Sequence, residues 1–180
     1  PVNGTNAQIF SFNGAQSQLS YALGGETVFK AGTTSSVVNL KFPPVGGTNH
    51  LIWAQDEPSQ AVRIYVNGQL AIERTNVLAT PAMMGATLTN RIGGGATTNR
   101  ITNFRGRILD FRIYEGSVTE FEAAALHAFG PDQVLGSTGP LQDVRLEVPA
   151  VVGPGARFPV KIYADFLSIS NIDVSTQPEL

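Results

Sequence analysis

The side chains in this chain best placed to do chemistry are few. Asp56 and Glu57 are adjacent carboxylates, His50 and His127 are the two histidines, and Trp53 is the one tryptophan. A glycosidase needs two carboxylates facing each other across a cleft, one as acid and one as nucleophile or base. Asp56 and Glu57 fall in a turn signal, Asp56-Glu57-Pro58-Ser59. Glu120 and Glu122 fall in the first turn of a helix, where carboxylates complement the helix dipole. A zinc site or a Ser/His/Asp triad would need a histidine beside acids. His127 lies near a helix end, a common place for a structural cation, and His50 opens a strand. No G-x-S-x-G nucleophile elbow is present. The chain has no cysteine, which excludes disulfides, thiolate metal sites and thiol nucleophiles. Trp53 could stack on the apolar face of a sugar ring. Its place in mid-strand, between Ile52 and Ala54, fits a core or sheet-face role better. Gly93-Gly94-Gly95 lacks the strand-turn-helix setting of a phosphate loop and reads as a turn.

The elements that must position these residues are short strands at regular spacing. Residues 7–12 form one, ending at Asn13-Gly14. Further strands fall at 18–23, 27–30, 37–42 and 50–55. Residues 61–66 alternate cleanly and turn at Asn67-Gly68, the strongest hairpin dipeptide, because both residues tolerate positive φ. Residues 69–74 are the partner strand. Residues 75–89 are irregular, and Arg91-Ile92 precedes the glycine run. Residues 108–114 then alternate with period two. Ile108, Asp110, Arg112 and Tyr114 share one face, and Leu109, Phe111 and Ile113 the other. Directly after them the period changes to that of a helix. Thr119 and Glu122 make a T-x-x-E capping box, Phe121, Ala125 and Leu126 share a face, and Gly130-Pro131 stops the helix. Strands eight to twelve residues apart, with turns between them, predict a sandwich or barrel. The predicted core includes Ile64, Val66, Phe104, Ile108 and Leu126.

Taken in order, these motifs resemble the laminin-G-like branch of the concanavalin A-like jelly-roll sandwiches. The family pattern has a strand with a histidine, matched by His50-Leu-Ile-Trp-Ala-Gln-Asp56. A Tyr-x-Asn-Gly turn follows, matched by Tyr65 to Gly68, and then an Ile-Gly-Gly stretch, matched by Ile92 to Gly94. A closing strand with Gly-x-Ile-Asp-x-x-Arg-x-Tyr corresponds to Gly106 through Tyr114, with one residue inserted between Ile108 and Asp110. Val118-Thr-Glu-Phe-Glu122 matches the helix start. The resemblance covers roughly residues 8–129. It implies an all-β, antiparallel jelly-roll sandwich with one short C-terminal helix, followed here by an extra β tail. The N-terminal strands of a complete family member are not recognisable. The closing strand is therefore expected to present an open edge that a neighbouring segment or chain covers.

The resemblance also implies a binding function. Jelly-roll glucanases take their carboxylates from an alternating E-x-D-x-x-E strand, and no such string occurs here, so the expectation is a non-enzyme. Relatives often bind Ca²⁺ through loop oxygens, and hard oxygen donors suit that ion. The candidates by position are Asp56, Glu57, Asn67 and Asp110, although no D-x-D-x-D cluster appears and Asp110 lies in the closing strand. The candidate ligand-contacting residues are Trp53, Asp56, Asn67 and Arg91.

The C-terminal part has another character. Residues 135–140 read as a linker, and residues 144–148 and 159–163 alternate as strands. This part resembles the first strands of a bacterial immunoglobulin-like module. The expected organisation is a sandwich over 1–133, a linker over 134–143 and a β tail over 144–180. Such a tail cannot be stable alone. It should pack on the sandwich or pair with another chain.

Composition bounds the rest. Net charge is -2, charged residues make up 14% and hydrophobic residues 42%. That supports a core and gives no basic field for nucleic acid or anionic lipid. No apolar run reaches membrane-spanning length. A start at Pro1, with neither basic nor apolar character, shows no secretion signal. It points to a processed chain or a piece of a longer one. Asn3-Gly4-Thr5 fits a glycosylation sequon, which would matter only in a eukaryotic secretory host. A cysteine-free, Gly/Thr/Asn-rich β chain is typical of bacterial surface and virion proteins. The expected function is a non-catalytic extracellular binding or adhesion module for glycans or surface proteins. The alternative is a structural assembly protein such as a phage decoration or surface-layer subunit. Self-association or neighbouring domains of a longer chain are the expected assembly partners.

Overall fold

A computed structural model describes residues 8–12, 18–22, 26–31, 34–39, 47–94, 104–131, 138–150, 153, 155 and 157–175. Among the described residues it is a β protein with one α-helix. The strands are β1 (Gln8–Phe12), β2 (Gln18–Ala22), β3 (Glu26–Ala31), β4 (Thr34–Asn39), β5 (Leu51–Asp56), β6 (Ala61–Val66), β7 (Gln69–Arg74) and β8 (Arg91–Ile92). Helix α1 (Glu120–Phe129) follows, and then β9 (Leu141–Glu147), β10 (Lys161–Phe166) and β11 (Ile172–Asp173). They form three sheets, ordered β4-β3-β2-β1-β8, β5-β6-β7 and β11-β10-β9. The strand pairs of the first and third of these sheets are all antiparallel. This is the architecture that period-two patterning with frequent turns predicts. The chain divides into two compact units. One is Pro1–Gly47, Gln55–Val62 and Ile72–Gly116; the other is Thr48–Ala54, Arg63–Ala71 and Ser117–Leu180.

In the first unit the five-stranded sheet is a run of hairpins closed by β8. Phe10 pairs with Ile92 and Ser11 with Arg91. Alternation along β1 sends Phe10 and Phe12 to one face, where their rings lie 5.3 Å apart. Phe111 meets both edge-on, at 5.8 and 6.2 Å, a preferred geometry for aromatic quadrupoles. Ser11, between the two phenylalanines, is buried.

The expected closing strand is corrected by the structure. Residues 108–114 belong to no sheet among the described residues. Ile108 is 36% exposed and Ile113 76%, and Phe111 is the half-buried side chain of its face. Alternation specifies which face each side chain takes. A ladder needs in addition an open backbone edge running alongside. The alternation still operates on the surface, where Asp110, Arg112 and Tyr114 form one row.

In the second unit α1 is the centre of the core. Thr119 caps it, and both halves of the capping box are made. The Glu122 N–H donates to Thr119 Oγ1 at 3.3 Å, and the Thr119 N–H donates to Glu122 Oε2 at 2.9 Å. Gly130, at φ 72°, ends the helix. Ala123 packs with Ala54 and Tyr65. Ala124 and Ala125 pack with Ala164, Phe166, Ile172 and Val174. The helix is thus covered on two sides. Three successive alanines are buried, and short side chains let β-strands approach its backbone closely.

The predicted core is only partly right. Ile64 is fully buried, but Val66, Phe104 and Leu126 are half-buried and Ile108 is at the surface. Leu126 yields to the alanines because both neighbouring layers meet the helix on its Ala123–Ala125 arc.

Candidate functional site

The Asn67-Gly68 turn is the most tightly built of the predicted site positions. Both residues have positive φ, 52° and 81°, the geometry of a type I′ hairpin. The Asn67 N–H donates to the His50 carbonyl at 2.8 Å, and Asn67 Oδ1 accepts from the His50 N–H at 2.9 Å. Asn67 Nδ2 donates to Asn49 Oδ1 at 3.2 Å. The Asn67 oxygen and amide that could have met a ligand are therefore joined to the start of β5. His50 in turn stacks on His127, with ring centroids 5.7 Å apart and 13° between planes. His127 is exposed as a residue, and partial desolvation lowers its imidazole pKa from the ordinary 6.5.

Asp56 ends β5, and Glu57 follows it in the β5–β6 turn. Asp56 Oδ2 accepts from Ser59 Oγ at 2.5 Å, and the Gln60 N–H donates to the Glu57 carbonyl at 3.1 Å. These bonds close a tight exposed turn, with Gln60 at φ 51°. Asp110 makes an ion pair with Arg112 at 2.6 Å, and Arg112 also donates to the Tyr114 hydroxyl. Among the described residues no three His, Asp or Glu side chains converge to hold a metal ion. The four proposed calcium ligands are distributed over two turns and one surface row. Trp53 is half-buried in mid-β5, and Arg91 is exposed in β8 with its backbone beside Ser11.

One polar constellation has no counterpart in the sequence reading. On the C-terminal sheet Arg145 lies over the Tyr163 ring at 5.6 Å. Its Nε meets Asp165 Oδ2 at 3.3 Å, and its Nη2 donates to Asn171 Oδ1 at 2.8 Å. Asp165 Oδ1 accepts from the Asn171 N–H at 2.5 Å. Asn171, at φ 64°, supplies the left-handed turn that brings these groups together. The Asn171 N–H first, and Arg145 second, hold the Asp165 carboxyl below its usual 3.8. The legible signal was the odd-numbered face of residues 143–147 and 161–165, which is polar throughout. A shallow depression beside it is lined by Arg145, Leu146, Glu147, Val148 and Tyr163.

Asp56, Asp110, Glu122 and Asp165 thus act as turn closer, ion-pair partners and cap. The described helix is neither long nor apolar enough to cross a membrane. No curated protein matches the sequence. The antiparallel sheets and the helix of the described residues agree with the family match. Residues 2–124 match the laminin-G-type model of the concanavalin A-like lectin/glucanases superfamily, and with well over half of its length matched the chain belongs to that superfamily.

Proposed function

We propose that this chain is a non-catalytic binding module that recognises a carbohydrate or surface glycan outside the cell or on a virion. The observation that carries the reading is membership of a lectin-containing superfamily over residues 2–124. It is supported by the local engagement of Asp56, Asp110, Glu122 and Asp165, each tied to a neighbour. Carboxylates held in this way serve geometry rather than acid–base turnover.

Arg91 is exposed and Asp56 half-buried at the edge of its turn, and these are the members of the proposed contact set assigned here to the glycan. Trp53 offers only the exposed part of its ring, and Asn67 contributes by fixing the turn. Calcium, in this reading, acts at the adjacent carboxylates Asp56 and Glu57.

A glycan array probed with the intact chain, with and without Ca²⁺, tests the proposal. Retention of a defined glycan class, weakened by Asp56→Ala or Arg91→Ala, supports it. Hydrolysis of any arrayed glycan, or no retention in either buffer, overturns it.

A further inference from the structure

We infer that strand β9 is a self-recognition edge, and that two copies of this chain pair antiparallel through residues 144–148. β9 is the outer strand of the β11-β10-β9 sheet. Its register with β10 sets Leu146 opposite Ile162 and Val144 opposite Ala164. Ile162 and Ala164 lie on the face that packs against α1. Val144, Leu146 and Val148 continue that apolar face beyond the helix, and they are 41%, 67% and 54% exposed. The opposite face of the same strand carries Asp143, Arg145 and Glu147.

Among the described residues no strand pairs with this edge along residues 144–147. Exposed edges are usually blunted by a bulge, a proline or an inward charge. The one irregularity in the β9–β10 pairing is at Gln142, between the partners of Asp165 and Phe166, and the nearest proline is Pro149. These two features bound a stretch of six residues, 143–148, that neither of them interrupts. An open ladder of backbone donors and acceptors beside apolar side chains favours the addition of a strand.

The sequence of the stretch identifies the occupant. Val144-Arg145-Leu146-Glu147-Val148 has the same pattern read backwards, with the two charges exchanged. In an antiparallel pair centred on Leu146, Val144 faces Val148 of a second copy, Leu146 faces Leu146, and Arg145 faces Glu147. The two-fold axis makes the Val144–Val148 and Arg145–Glu147 contacts twice and passes through the Leu146 pair. Opposite charges directly across a ladder are favourable and like charges unfavourable.

Neighbouring registers fail this test. Centring on Arg145 opposes two arginines and sets Asp143 against Glu147. Centring on Glu147 opposes two glutamates. Centring on Val144 sets Leu146 against Gln142 and Leu141 against Glu147. A slip of one residue places charges against apolar side chains along the whole strand. Charge and apolar complementarity agree in one register, and in that register Pro149 ends the ladder beside Val148. The result is a six-stranded sheet across the dimer axis. This inference does not depend on the glycan reading.

Sedimentation equilibrium of the intact chain over a concentration series tests the pairing, together with two cysteine variants. The expected result is a reversible dimer that Leu146→Lys weakens by at least about tenfold, with an unchanged circular dichroism spectrum. The chain has no cysteine of its own, so an introduced one reports register directly. Opposed strand residues lie about 4.5–5.5 Å apart, within disulfide reach. Leu146→Cys should therefore form a covalent dimer on mild oxidation, and Val144→Cys should not. A chain that is monomeric at every concentration, as it would be if a different protein or a glycan covered the edge, overturns the inference. A disulfide dimer through Val144→Cys in place of Leu146→Cys overturns the register and the argument built on it.

Discussion

Asn67 holds His50 by two hydrogen bonds of opposite sense, donating its N–H to the His50 carbonyl at 2.8 Å and accepting the His50 N–H on Oδ1 at 2.9 Å. One residue at the β6–β7 turn therefore satisfies both polar backbone groups at the start of β5. It does so while in the left-handed region, at φ 52°, which asparagine tolerates better than most residues. Asn67→Ala should destabilise the chain by about 1–3 kcal/mol, from the lost side-chain bonds and the poorer turn residue. Thermal or urea unfolding measures this. A loss near zero would mean that the turn does not anchor β5.

The adjacent Gly68 is needed for space as well as for conformation. A Cβ built there would lie 3.1 Å from Ala124 Cα and 3.1 Å from His127 Cβ, at φ 81°. Gly68→Ala should cost about 2 kcal/mol or more, because both turn geometry and helix approach are strained. Gly116→Ala serves as the control. It also has positive φ, 98°, but meets nothing within 4 Å. The excess loss at position 68 isolates the steric part, and equal losses would show that the helix is not held close to the turn.

Stability should also fall on mild acidification. Partial desolvation depresses the His127 pKa in the folded state below its usual 6.5. Between that lower value and 6.5 the unfolded chain binds more protons than the folded one, so stability rises with pH across the window. The stabilisation is fully present above pH 6.5 and is lost as pH falls toward the folded value. The stacked His50 ring is the titratable neighbour facing it. Melts of the intact chain from pH 8 down to pH 5 should slope downward, and His127→Gln should flatten them. A second fall is expected below 3.8, where Asp165, held low by the Asn171 N–H and Arg145, becomes protonated. An unchanged acid slope in His127→Gln would assign the effect elsewhere.

Local features of this fold were legible in the sequence, and features that depend on distant partners were not. The Asn67-Gly68 hairpin, the Thr119–Glu122 box and the Gly130 stop are all decided within a few residues, and each has the form the sequence predicts. Strand positions 61–66 and 69–74 agree to the residue for the same reason. Residues 108–114 carried the clearest alternation in the chain, yet pairing depends on a backbone edge that alternation does not encode. The candidate site shows the same division. Asn67 was singled out for its oxygen, but the use of that oxygen on His50, 17 residues earlier, is a tertiary fact. Arg145, Asp165 and Asn171 converge from separate strands and a turn, and no linear motif joins them.

The contact between Phe166 and α1 yields the last prediction. Periodicity nominates Leu126 as the helix anchor, whereas the structure leaves it half-buried and buries Ala124 and Ala125 against Phe166, Ile172 and Val174. Alanines contribute little area of their own, so the apolar contact at this interface comes mainly from the strand side. Phe166 is 5% exposed and is the largest residue in that cluster. Phe166→Ala should cost about 3–5 kcal/mol, by transfer and by the cavity left beside two methyl groups too short to fill it. Leu126→Ala should cost less, because part of the side chain is already in water. Unfolding of the two variants under the same conditions decides the order. If Leu126→Ala were the more damaging, the helix would be docked by its predicted face, and the packing of β10 and β11 on α1 would not be what holds it.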